Sequence, residues 1–150
     1  MENNIPPSSL PNGRLRYFDL IELGDLRECL GVQRTDELLT VFAEALPLYL
    51  SSLSEAAARS DLTTVVDVVH TLRGTATSLA CAGLAFPCDV VRVACERNDV
   101  SMCRLAVNIL GLAEAQVLAE VQTVRMQPDT IRSFRADRGA TAAQANCSAP

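Results

Sequence analysis

The chain has 150 residues, 49% of them apolar and 21% charged, and a formal net charge of −5. That is the length of one domain and enough to bury a core, with about 70% of the unfolded surface removed on folding at this size. The acidic balance weighs against nucleic acid, whose phosphates need a concentrated basic surface. No charged-then-apolar leader opens the chain and no apolar run reaches about 18 residues, so a soluble, cytoplasmic protein without direct membrane insertion is expected.

Residues 1–15, with Pro6, Pro7, Pro11, Asn12 and Gly13, have the makeup of a flexible leader or inter-domain linker. A short amphipathic segment runs from about Phe18 to Leu30 and stops at Gly31. The next helix is expected from about Asp36 to Arg59, with Leu38, Phe42, Ala45, Tyr49 and Leu53 on its inner face. Pro47 lies inside it and is expected to kink it, because proline lacks the N–H that would bond to the carbonyl of Ala43. Asp61 is a suitable N-cap for a helix reaching about Leu79. A short connection then leads to a helix from about Leu84 to Arg97, with Pro87 in its first turn. Asp99 caps a last long helix from Val100 to about Met126. Short links between helices of similar length imply antiparallel neighbours, so the expected fold is all-α: an antiparallel up-down four-helix bundle over residues 16–126, with a short extra N-terminal helix. Residues 127–150 turn to Ala, Thr, Ser, Arg and Asp without sustained periodicity, the composition of a disordered tail. Arg132, Arg135 and Arg138 there are dispersed among small residues and read as solvated charges.

Six cysteines raise the question of a metal or a disulfide framework. Cys88, Cys95 and Cys103 fall on apolar helical positions, and the spacings from Cys81 onward of seven, seven and eight supply no close pair of the kind structural zinc uses. They read as small core hydrophobes.

His70, the only histidine, stands in the helix after Asp61. A lone imidazole there is a core residue, an exposed bystander or a nucleophile offered to a partner. Apolar residues at Leu62, Val65, Val69, Leu72, Ala76 and Leu79 step by three and four and define the buried stripe. His70 is off it, on a line through Thr63, Asp67, Gly74 and Thr77 or Ser78 that is polar or small throughout. Arg73 at i+3 can place a planar fork of donors beside whatever the ring carries, a geometry suited to phosphate oxygens. Gly74 at i+4 removes the side chain next to the ring, and a helix-interior glycine costs about 1 kcal/mol relative to alanine, so it needs a packing or access reason. Asp67 at i−3 is read as a solvated charge, since a fixed negative charge so close would repel an incoming phosphoryl group.

The run His70-x-Leu72-Arg73-Gly74, followed by small residues and then Ser78-Leu79-Ala80, resembles the signature of histidine-containing phosphotransfer (HPt) domains, roughly His-x-Leu-Lys-Gly, small residues, Ser or Asn, then Leu-Gly. Upstream, Val41-Phe42 with Pro47, Leu50 and Leu53, then Ala56-Ala57-Ala58 and Asp61, is similar to the helix that precedes the histidine helix in that family; downstream, Leu84 and Cys88 fall where it has an apolar residue and often a cysteine. Two departures stand out: Arg73 replaces the usual Lys, and Ala80 and Gly83 replace the Leu-Gly ending.

The resemblance implies a phosphorelay role. His70 would accept a phosphoryl group from the phospho-aspartate of a receiver domain and pass it to the aspartate of another. Arg73 would stabilise the phosphoryl charge and Gly74 would clear the approach, with Ser78 and Arg92 as phosphate-proximal polar groups. In the family the magnesium and the acidic pocket belong to the receiver, so no cofactor or metal of its own is implied, and no Gly-rich phosphate loop or kinase signature occurs here. The partners implied are receivers of response regulators or of a hybrid sensor kinase, whose terminal domain this chain would equally fit, and a monomer is the expected state. The rival reading is an HPt-like module that docks a response regulator without carrying phosphate, but docking alone requires neither a nucleophile nor an adjacent guanidinium. A core histidine in an unrelated bundle conflicts with the stripe, and a lone histidine offers no self-contained catalytic set for an autonomous enzyme.

Overall fold

The structure is a computed structural model that describes residues 15–126. The expected leader, residues 1–15, lies outside the described residues except for Leu15, which packs against the core, and the expected tail from residue 127 lies outside them entirely. Among the described residues every regular element is helical: α1 (Leu20–Leu30), α2 (Val32–Ala58), α3 (Leu62–Ser78), a 3₁₀ turn (Ala82–Leu84), α4 (Ala85–Glu96), α5 (Val100–Gly111) and α6 (Glu114–Met126).

Local chemistry sets the helix ends. Asp61 accepts from the Thr64 N–H at 3.2 Å to start α3, and Asp99 accepts from the Met102 N–H at 2.9 Å to start α5. Asp19 does the same for α1, taking the N–H groups of Ile21 and Glu22. Helices α2, α3 and α4 each end in a left-handed residue that is not glycine: Ser60 (φ 57°), Ala80 (φ 62°) and Asn98 (φ 55°). Each makes the paired 6→1 and 5→2 bonds of a Schellman turn, as in Cys81 N–H to Ala76 O at 2.9 Å with Ala80 N–H to Thr77 O at 3.2 Å. The turn after the histidine helix therefore keeps this cap with alanine in the left-handed position.

Helix α2 packs against α3, α5, α6 and α1; α3 packs on α4, and α4 on α5. With α5 and α6 together as the fourth wall, this is the four-helix bundle, and α1 is the short extra helix. Leu39, Phe42, Leu46 and Leu53 of α2 meet Val65, Val69 and Leu72 of α3, Val91 of α4 and Leu110 of α5 in one core.

Three expectations need correction. Helix α2 begins at Val32 rather than Asp36, and its deepest large residues are Leu39 and Leu46 together with the expected Phe42 and Leu53, while Leu38, Ala45 and Tyr49 are half-buried. The physical reason is that α2 touches four helices, so its buried face is wider than one stripe. Pro47 lies inside this helix, as expected. Finally, the last long helix divides at Leu112–Ala113, where the Leu112 N–H bonds to Asn108 and Ile109 and the Ala113 N–H bonds to Leu110. By length and composition alone Val100–Met126 is apolar enough to cross a membrane. Cys103, Ala106, Leu110, Val117 and Val121 face the bundle core, while Met102, Leu105, Ile109 and Leu112 are exposed.

Cys81, Cys88, Cys95 and Cys103 are buried. Burial pushes the thiols of Cys81, Cys88 and Cys95 up to about 12, so they stay protonated and pack as small hydrophobes.

The entry of the chain into the bundle is held by a buried carboxylate. Glu120 on α6, 3% exposed, accepts the N–H groups of Arg16 (3.1 Å), Tyr17 (2.9 Å) and Phe18 (3.1 Å). This strap then bonds to the end of the histidine helix, through Asp19 N–H to Ala80 O and Gly83 N–H to Tyr17 O, both at 2.9 Å. Buried Arg27 of α1 adds a second tie, to Asp36 of α2 at 3.0 Å and to the Val124 carbonyl of α6 at 2.7 Å.

Candidate functional site

Helix α3 divides by periodicity into a buried side and an open side. Val65, Val69, Leu72 and Ala76 are buried, as the stripe requires, while Asp67, His70, Thr71, Arg73, Gly74, Thr77 and Ser78 are all exposed. The imidazole thus stands on the solvent face of a helix anchored in the core along its opposite side.

Around the ring the polar side chains are already engaged. Thr71 donates to the Asp67 carbonyl (3.0 Å), Thr75 to Thr71 (2.9 Å), Thr77 to Arg73 (2.7 Å) and Ser78 to Gly74 (2.8 Å). Each hydroxyl proton points back along its own helix, the usual bond of Ser and Thr in helix interiors. Ser78 stands on the expected face, with its proton on the Gly74 carbonyl. At Gly74 an added Cβ would meet nothing within 4 Å. Among the described residues no packing requires a glycine there.

Arg73 is not free. Its Nε lies 3.0 Å from Asp89 Oδ1 and its Nη2 lies 3.3 Å from Asp89 Oδ2, a two-point ion pair from α3 to α4. Arg92, one turn further along α4, lies 3.7 Å from the same Asp89 and pairs with Glu96. The expected site residues Arg73 and Arg92 therefore meet through one carboxylate, which sequence reasoning missed. The signal available was the i,i+3 spacing of Asp89 and Arg92 on α4; the cross-helix partner is visible only in the fold.

The carboxyl of Asp61, at the start of the same helix, is held below the usual range by the hydroxyl and the N–H of Thr64. Among the described residues no group of three or more His, Cys, Asp or Glu is placed to hold a metal ion.

A family model for the Hpt domain matches residues 37–127. The chain belongs to the Hpt domain family. The match spans α2 to α6, the four walls of the bundle, and includes the whole of the histidine helix. Neither the curated proteins nor the solved structures provide a match. Hpt domains serve histidine phosphotransfer in phosphorelays and interact with receiver domains of two-component systems. The sequence contains one histidine, His70, and it lies within the matched residues.

Proposed function

We propose that His70 carries the phosphoryl group of a phosphorelay, taking it from the phospho-aspartate of one receiver domain and giving it to the aspartate of another. The observation that carries this reading is that the sole histidine of an Hpt domain sits on the open face of α3, beside an unoccupied approach over Gly74.

A ring nitrogen with a free lone pair attacks the acyl-phosphate phosphorus. The P–N bond forms as the P–O bond to the aspartate breaks, the carboxylate leaves with the bonding electrons, and the ring proton stays on the other nitrogen. The return step reverses this with the second receiver's aspartate as nucleophile. Charge on the transferring group is met by Arg73, and positioning by the rigid helix supplies most of what such a transfer needs. The magnesium belongs to the receiver, and the bundle itself performs no kinase reaction.

The test is a reconstituted relay of two receiver domains that do not exchange phosphate directly. Label on the first should reach the second only when this chain is present, through an acid-labile, base-stable intermediate on the bundle. Stable binding of phosphorylated receivers without label on the bundle would instead make the chain a docking module.

A further inference from the structure

The ion pair between Arg73 and Asp89 leaves half of the guanidinium unused. Asp89 takes Nε and one N–H of Nη2. A guanidinium has five N–H donors in a fixed fork, so the edge formed by Nη1 and the remaining Nη2 hydrogen can still receive two oxygens of a phosphoryl group. The Arg73 side chain is 44% exposed and carries the rotamer freedom of a long surface residue, which has to be lost before the fork can act. A carboxylate on the neighbouring helix removes that freedom beforehand. Arg92 approaches the same carboxylate at 3.7 Å, and Glu96 holds Arg92 in turn, so Asp89 is itself fixed from two helices.

We infer that Asp89 is a positioning residue for phosphoryl chemistry at His70: it grips one edge of the Arg73 fork and presents the other edge to the phosphoryl oxygens. The inference rests on the reading of His70 as the phosphoryl carrier. Asp89 is also a negative charge, whose direct effect on a phosphoryl group is repulsion. The two roles predict opposite signs when the charge is removed.

Phosphoramidate can phosphorylate an exposed histidine without any receiver, forming the P–N bond to the ring as ammonia leaves, so the test does not depend on a partner. The lifetime of phosphohistidine at neutral pH, followed by phosphorus NMR, would be compared among the wild type, Asp89→Asn, Asp89→Glu, Arg73→Gln and the Asp89→Asn/Arg73→Gln pair. Asp89→Asn should shorten the lifetime about two- to fivefold, the range of an exposed charged pair, and Asp89→Glu should restore most of it. Asp89→Asn should have no further effect once Arg73 is glutamine, and the Arg73 Nε–H should lose protection from solvent exchange in Asp89→Asn while thermal stability stays unchanged. An unchanged or longer lifetime in Asp89→Asn, or an equal effect without Arg73, would overturn the inference. A relay that fails with every receiver while this pattern holds would remove the relay reading and leave the positioning role standing.

Discussion

Gly74 and Gly83 lie on either side of the turn that ends the histidine helix, and a Cβ meets opposite surroundings at the two. At Gly83 it would come within 2.6 Å of Tyr17 Cα and 2.7 Å of the Arg16 carbonyl oxygen, both backbone atoms of the strap. At Gly74 it would meet nothing within 4 Å. The first glycine is explained by the chain's own packing. At the second, no neighbour among the described residues accounts for the missing side chain, and under the proposed role of His70 the reason is access for a partner. The turn after α3 is thus filled by the chain's own backbone, while the exposed middle of the helix stays open, as the proposed approach of a receiver to His70 requires.

That contrast can be broken at several points. The strap end should respond most. Glu120→Ala strands three backbone N–H groups, and urea unfolding should show a loss of about 2–4 kcal/mol. Gly83→Ala should lose about 1–3 kcal/mol by forcing the strap away, and the two losses should fall short of additive because both release the same segment. Unchanged stability in either variant would mean that the strap is not what Gly83 accommodates.

The buried thiols of the bundle give a pH signature. Desolvation, aided by the charge of Glu120, raises the Cys81 thiol to about 12 from a reference of 9.0, and Cys88 and Cys95 are raised to about 12 as well, again mainly by burial. A folded value above the unfolded one means stability that is fully present below about pH 9 and is lost as the pH climbs toward 12, because the unfolded chain releases protons that the folded one retains. Melting temperatures measured across that window should fall steadily. A flat profile would place these thiols in contact with water.

On the partner side the sign reverses. Gly74→Ala should stabilise the bundle by up to about 1 kcal/mol while slowing phosphoryl transfer from a full-length receiver. A more stable variant with undiminished transfer would remove the steric account of this glycine.

The sequence made the contrast between the two faces of α3 legible, since the buried stripe and the position of His70 off it follow from helical period alone. The caps Asp61 and Asp99 are equally local and equally readable. What escapes the reading depends on partners far along the chain. Glu120 looks like a surface acid until residues 16–18 fold onto it, and Asp89 acquires its meaning from Arg73 on another helix. The depth of Leu39 and Leu46, rather than Leu38 and Ala45, reflects the several neighbours of α2, which a single-stripe pattern does not encode. The division at Leu112 is different, because Gly111, a poor helix former at the end of α5, is a local signal that favours a break there.

The smallest expected change in stability accompanies the most complete change in function, and it tests the central claim most directly. His70→Gln and wild type would be incubated with a phosphorylated receiver and magnesium, with bound phosphate and unfolding free energy measured on the same samples. The account predicts an acid-labile phosphate on the wild type alone and stabilities that agree within about 0.5 kcal/mol, as for an exposed residue. Label persisting on His70→Gln, or a bundle that loses its fold when the ring is removed, would contradict it.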